Sequence, residues 1–364
     1  MFETGWILQR YVLREYLKVL LLSLSGLILI YLVVLFFQKM DTFVKYQAPF
    51  PLIFEYLLYK SPEVIFQWTL PYAVLLSTLM TLGNLSRHNE ITAMKAGGIS
   101  LYGITIPLFL FALLTSAVSF LGNEYLVPYT NQKTRHLLSV KVRKEEQTSY
   151  FKNYKIWYHG SYGIFNIQLL DPKERVLKGV TIYQFASPFR CIRRIDAREA
   201  RWDDGKWTFH LGAVREFQED GTIQTLPFKS HSFDLQEDWD TFQKIEQKSG
   251  EMSYTELSAY IKRIGAAGYD TTRYRTDLHA KLSFPFLNLV MVLIGIPFAL
   301  RTGRSGGMAL GIGASVVIGF TYGIFFYVFL NFGKSGILPP LLAGWTPTSL
   351  YGLAGLFALM SLRQ

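Results

Sequence analysis

Hydrophobic and polar positions segregate on a coarse scale along this chain. Six long stretches without Asp, Glu, Lys or Arg fall into two groups of three, separated by a polar segment of 158 residues, Glu124–Lys281. The uncharged runs are Val19–Phe37, Val64–Leu85, Gly97–Asn123, Leu282–Leu300, Ser305–Gly333 and Ser335–Leu362, each at least 19 residues long. A helix rises ~1.5 Å per residue and a bilayer core is ~30 Å thick, so about 20 residues suffice to cross. The pattern predicts six transmembrane helices. The last two runs exceed one crossing, so their ends are expected in the interface or in loops.

Inside the polar segment the period changes to that of β structure. Lys155–Tyr158, Tyr162–Leu170, Val180–Phe185, Phe189–Ala197, Trp207–Leu211 and Thr222–Leu226 are rich in β-branched and aromatic residues. Asp171-Pro172, Asp203-Asp204-Gly205 and Asp220-Gly221 supply turns between them. The spacing suits a sandwich or jelly roll. A helix is predicted next. Ser253 and Glu256 match a capping box, Leu257, Tyr260, Ile261 and Ile264 recur at helical spacing, and Gly265 and Gly268 end it. A second helix is expected to begin near Asp270–Thr272 and to run into the fourth span. The fold class expected is therefore an α+β membrane protein, with six transmembrane helices (3 + 3) and an inserted jelly-roll-like β domain. The expected division is 1–123 for the first transmembrane half, 124–250 for the β domain, and 251–364 for the connecting helices and second half.

Composition agrees with this reading. Half the residues are hydrophobic, mean hydropathy is +0.20, and 18% are charged, against about 25% in a soluble protein. The net charge of +10 does not signal nucleic acid, because the polar segment holds 25 of 37 basic and 21 of 27 acidic residues. No small-residue cleavage site follows the first run in Gln38–Ala48, so that run is expected to stay as a span. The single cysteine, Cys191, excludes an intramolecular disulfide. Orientation follows from the short segments between spans. Arg10, Arg14, Lys18, Arg87, Lys95, Arg301, Arg304 and Arg363 share one side, against Lys39, Lys45, Lys60 and Lys334 on the other. The positive-inside rule then puts both termini in the cytoplasm and the β domain outside or in the periplasm.

Candidate chemistry is sparse. The chain has no GxxxxGK[ST], no HExxH and no GxSxG, and its six histidines show no metal-ligand spacing. No cofactor is expected. The uncharged runs also lack histidine, which argues against an ion-coupled transporter. The glycines in Gly303–Gly313 open a span without a preceding strand, so they read as close helix packing. One loop stands out, Ser86–Gly98, where Glu90, Ile91 and Met94 fall at helical spacing before Gly97-Gly98. It reads either as a solvated turn with orienting charges or as a helix, about 86–97, that docks on a cytoplasmic ATPase.

Several stretches together resemble one family. These are Leu8-Gln9-Arg10-Tyr11-Val12, the loop Leu82–Gly98 and Glu124-Tyr125-Leu126-Val127-Pro128, with Gly319–Phe329, Gly336-Ile337-Leu338-Pro339-Pro340 and Pro347 further on. They are similar to the permease subunits of the lipopolysaccharide export machine, the F and G subunits of the Lpt system (YjgP/YjgQ family), with the last third closer to G. The resemblance implies a bacterial inner-membrane subunit with its β domain in the periplasm. It would pair with a homologous permease subunit on a dimeric cytoplasmic ATPase, the Lpt B subunit. With a single-span C subunit that carries a periplasmic jelly roll, it would extract lipopolysaccharide and pass it to a periplasmic bridge. Glu90, Ile91, Met94 and Arg87 then become ATPase-coupling residues, with Glu90 facing a basic group of the ATPase.

Lipid phosphates and carboxylates suit basic side chains at the outer mouth. Lys39 and Lys45 follow span one, Lys133 and Arg135 follow span three, and Arg273 precedes span four. The family places a substrate-touching basic residue near the outer end of span one. Here that position, three before Asp41, is Gln38, with Lys39 beside it. Phe325 on span five is a candidate for lining an acyl-chain cavity. Snorkelling anchors and lipid-facing packing are the structural alternatives for these residues. A membrane scaffold that only binds a partner through its β domain is the competing function. No catalytic constellation supports an enzyme.

Overall fold

The computed structural model describes residues 2–144, 149–152, 155–160, 162–171, 174–186, 190–203, 206–218, 221–233, 235, 237, 239, 242, 249–266, 270–302 and 307–362. The chain divides into two compact units: Met1–Arg143 with Ser249–Gln364, and Lys144–Lys248.

The first unit is helical. Its described helices are α1 (Phe2–Lys45), α2 (Pro51–Glu63), α3 (Leu70–Arg87), α4 (Glu90–Ala96), α5 (Leu101–Leu121), α6 (Val127–His136), α7 (Tyr254–Ala266), α8 (Thr272–Ser283), α9 (Leu287–Thr302), α10 (Gly307–Lys334) and α11 (Pro340–Met360). Wide π-type turns join α2 to α3 at Val64–Thr69 and α5 to α6 at Gly122–Leu126. Each lies just before a proline, Pro71 or Pro128. Proline has no amide hydrogen and crowds the preceding turn, and a wide turn absorbs both defects without ending the helix. The spans consequently run longer than the uncharged runs that announced them. Five reach spanning length and hydropathy: Trp6–Lys45, Pro51–Arg87, Leu101–Val142, Thr272–Arg301 and Gly311–Lys334. The sixth, α11, has 21 residues and no charge, but Gly, Pro, Ser and Thr dilute its hydropathy. Those small residues serve packing. A Cβ at Gly355 would meet the Ile294 backbone at 3.1 Å, and one at Gly344 would meet His279 Cβ at 2.7 Å. This close approach lets α11 lie tightly on α9 and α8.

One apolar core holds the bundle, with Val12, Tyr16, Leu75, Leu82, Leu108, Met291 and Ile296 among its buried members. α3 and α9 are the most enclosed helices, while α1 and α10 leave most of their apolar surface uncovered. The capping box predicted for α7 is present, whereas Gly265 lies inside the helix, which runs on to Ala266, rather than ending it. Ser253 N donates to Glu256 Oε2 at 2.8 Å and Glu256 N donates to Ser253 Oγ at 3.1 Å, the reciprocal pair of a capping box. Gly268 lies outside the described residues.

The second unit is one antiparallel sheet of seven strands in consecutive order: β1 (Ser149–Lys152), β2 (Lys155–His159), β3 (Ile164–Asp171), β4 (Val176–Ala186), β5 (Arg190–Asp203), β6 (Lys206–Phe217) and β7 (Ile223–Phe233). The six predicted strands are there and mostly longer than expected; β1 was not foreseen. The expected β domain is thus present, but its strand order is that of a meander, without the Greek-key crossover of a jelly roll among the described strands.

A sandwich-like core still forms, because the sheet folds over. Inward residues of a strand normally step by two. Here they step by three along one line across the sheet: Ile167 to Leu170, Leu177 to Val180, and Ala197 to Ala200. Gly179 and Leu211 lie on that line with φ of 60° and 54°. This left-handed backbone rotates the strand and switches the inward face. Both halves close on one core of Phe165, Ile182, Ile195, Trp207, Phe209 and Phe242. The Trp207 indole donates to Glu237 O at 2.7 Å, satisfying the one polar atom of the largest buried side chain. On the opposite face Asp196 accepts from Thr181, Arg194 and Arg215. That bonding holds the Arg194 guanidinium above its ordinary pKa.

Candidate functional site

The helical unit presents two sets of candidate residues, at opposite ends of the bundle. The first set surrounds α4. α3 ends at Arg87, His88 Nδ1 contacts Asn84 O at 2.9 Å, and Asn89 adopts φ 59°. Asparagine tolerates this left-handed conformation, which breaks the helix and restarts it at Glu90. Gly98 at φ 84° ends α4, and Ser100 Oγ accepts from Gly103 N at 3.1 Å to start α5. Arg87 therefore belongs to α3 rather than to the loop helix, which is shorter than the expected 86–97. Ile91 and Met94 are buried and join the core of the bundle. Arg87, Thr92, Ala93 and Lys95 are exposed and Glu90 half-buried. Glu90 sits in the first turn, where its charge complements the helix dipole. The Tyr11 hydroxyl donates to Glu90 Oε2 at 2.9 Å, and Gln9 Nε2 donates to Gly103 O at 3.3 Å. The segment Leu8–Val12 of α1 thus fastens both α4 and the start of α5. The Tyr11–Glu90 bond spans 79 positions and no local spacing could have announced it.

The second set lies at the other end. Gln38, Lys39 and Lys45 all fall on α1, which continues unbroken to Lys45, so they do not lie in a loop after the span. Gln38 is exposed and Lys39 half-buried. Lys45 Nζ lies 5.7 Å from the Tyr46 ring, and Lys133 Nζ lies 5.7 Å from the Tyr129 ring. Phe43, Ile53, Tyr56, Leu137 and Val142 form a small core that brings the end of α1, α2 and the turn after α6 together. Arg135 Nη1 pairs with Glu251 Oε2 at 2.9 Å, while Asn131 and Gln132 donate to the carbonyls of Gly250 and Glu251. Arg273 is exposed on α8. Phe325 on α10 is about half-exposed and stacks on Phe329 at 6.2 Å. Sequence reasoning missed two carboxylates here. Glu124 is buried and accepts from Tyr254 N, Thr255 N and Thr255 Oγ1 at 2.7, 3.2 and 2.7 Å. Asp277 is buried and accepts from Ser249 Oγ at 2.6 Å and from Lys334 Nζ at 2.7 Å. Among the described residues no group of His, Cys, Asp and Glu is arranged to hold a metal ion.

Two sets of apolar helices that flank an inserted β unit in the sequence mark a multi-pass membrane protein. The chain belongs to the lipopolysaccharide export system permease LptF/LptG family, whose profile matches residues 10–361. Among curated relatives, LptG of Haemophilus influenzae is 27% identical over 267 residues, 71% of this chain and 70% of that protein. LptG of Escherichia coli K12 is 26% identical over 318 residues, 84% of each chain. LptF of the same strain is 23% identical over 353 residues, 95% of this chain and 92% of that one.

Proposed function

We propose that this chain is a permease subunit of a lipopolysaccharide exporter in a bacterial inner membrane. The observation that carries this reading is the match to the permease family across nearly the whole chain, both transmembrane halves and the β unit together. Its relatives are named as lipopolysaccharide export system permeases of both the G and F kinds, and identity is somewhat higher to the G proteins. A heterodimer with a homologous F-type subunit follows from that pairing of names. The termini and α4 face the cytoplasm and the β unit faces the periplasm, as the basic residues of the short segments favour.

ATP hydrolysis in this reading belongs to a separate cytoplasmic ATPase that docks on α4. Glu90 and Arg87 are the contact residues, and Ile91 and Met94 anchor the helix in the chain's own core. At the periplasmic end, Gln38, Lys39, Lys45, Lys133 and Arg273 are the candidates to meet phosphates or carboxylates of the lipid, and Phe325 to meet its acyl chains. Arg135, bonded to Glu251, anchors the connector instead. A C subunit with one span and a periplasmic β domain receives the lipid. The test is co-purification from membranes followed by reconstitution. A second permease, an ATPase and ATP-dependent release of lipopolysaccharide from proteoliposomes are expected. A complex that retains all partners but releases no lipid with ATP would overturn the transport reading in favour of a scaffold.

A further inference from the structure

Glu90 is held by a neutral donor on another helix. The Tyr11 hydroxyl bonds Oε2 at 2.9 Å, and among the described residues no basic side chain of this chain pairs with the carboxylate. A carboxylate has four acceptor positions over two oxygens, so one phenol leaves Oε1 available and leaves the full negative charge unspent. An intramolecular Arg or Lys would have neutralised it. We propose that Tyr11 is a positioning residue for Glu90: it fixes the carboxylate toward a basic group of the partner, and it makes the pair the grip of α4 on α1. This rests on the reading of α4 as the ATPase-facing helix.

Three further observations support the grip. α4 has only seven residues and begins after a left-handed Asn89, so its own hydrogen bonds give it little stiffness. Ile91 and Met94 are buried in the same apolar core as Val12 and Tyr16 of α1, while α4 itself packs chiefly on α3. Tyr11 adds a directional bond from α1 to the exposed start of α4. Finally, α1 is continuous from Phe2 to Lys45, so Tyr11 and Gln38 lie on one rod, roughly 40 Å apart at 1.5 Å per residue. Through the Tyr11–Glu90 bond, α4 is tied to a helix that reaches the opposite end of the bundle and is itself loosely enclosed.

The experiment uses the complete complex in proteoliposomes with lipopolysaccharide, comparing Tyr11→Phe, Glu90→Gln and the double variant. The readout is lipid released per ATP hydrolysed, alongside ATPase recovery. A merely structural defect lowers recovery, release and hydrolysis together and leaves their ratio unchanged. Tyr11→Phe removes one oxygen atom from an exposed residue, so recovery is expected to be normal while the ratio falls roughly two- to tenfold, the range of one ordinary hydrogen bond exposed to solvent. The double variant is expected to be no worse than Glu90→Gln. If Glu90→Gln lowers the ratio while Tyr11→Phe leaves it unchanged, or if the two losses multiply as independent effects, the positioning role is overturned and the ATPase-facing reading stands. If Glu90→Gln changes neither ratio nor recovery, the reading of α4 falls and the positioning role with it.

Discussion

Glu124 and Thr255 are bonded twice across 131 positions, the carboxylate accepting from both the amide and the hydroxyl of Thr255. With the amide of Tyr254 added, a buried acid at the end of the third span caps α7, the helix that follows the β unit. The bond joins the two transmembrane halves at their exit and entry points. Helix amides without a partner are costly when buried, and a cap with two acceptor oxygens answers several of them at once.

Removing that cap is the first test. Glu124→Ala leaves two amides and a hydroxyl without their acceptor, and about 1–3 kcal/mol of destabilisation is expected. Glu124→Gln, which keeps one acceptor oxygen, is expected to lose less. Thermal unfolding of detergent-purified protein followed by tryptophan fluorescence orders the two. Equal melting temperatures for Ala, Gln and the unaltered chain would show that the cap contributes nothing.

Topology can be read by labelling. Ser230 is exposed on β7, in a unit expected in the periplasm. In a Cys191→Ser background, Ser230→Cys is expected to react with a membrane-impermeant maleimide in cells whose inner membrane is intact. Reaction only after that membrane is opened would place the β unit in the cytoplasm and reverse the assignment drawn from the short-segment charges.

How far the sequence carried is visible in particular elements. The capping box at Ser253 and Glu256 was legible because it is a three-residue spacing with its own chemistry, and both bonds are present. The strands were legible from β-branched and aromatic runs, but their order was not. Gly179 and Leu211 fold a meander into two layers by left-handed backbone, and a leucine at positive φ gives no warning in the sequence. The sixth span is a 21-residue uncharged helix whose small residues trade hydropathy for close packing, so composition alone understates it. α4 was legible around Glu90, though not the break at Asn89 that removes Arg87 from it. Long-range bonds such as Tyr11–Glu90 and Glu124–Thr255 depend on the packed bundle and have no local signature.

Charge reversal at Glu90 tests the contact itself. Glu90→Lys places a cation where the partner is expected to present one. A stranded charge in a buried interface costs about 3–5 kcal/mol, whereas a rim-exposed pair costs under about 1 kcal/mol. Because Glu90 is half-buried before any partner binds, the larger loss is expected, seen as reduced recovery of the ATPase in pull-downs or as ATP hydrolysis without lipid release. Unchanged recovery together with unchanged release would remove Glu90 from the contact.

The β unit offers a last, sharper comparison. Ile167 is fully buried among the aromatic residues of a filled core, so its position cannot meet a passing lipid unless the sheet opens. Leu226 pairs with Val214 across β6 and β7, which puts it on the same face as that partly buried core residue, yet it lies on the edge strand and is half-exposed. A lipid with several acyl chains would find apolar surface there without disturbing the packed interior. A photo-cross-linking residue at Leu226 is therefore expected to capture lipopolysaccharide in an ATP-dependent way in reconstituted complexes. The same residue at Ile167 is expected to yield products within the chain only. ATP-dependent capture at Ile167 would mean that the folded sheet opens as a conduit. Absence of capture at both positions, with transport intact, would mean that the lipid leaves through the partner subunit's β domain.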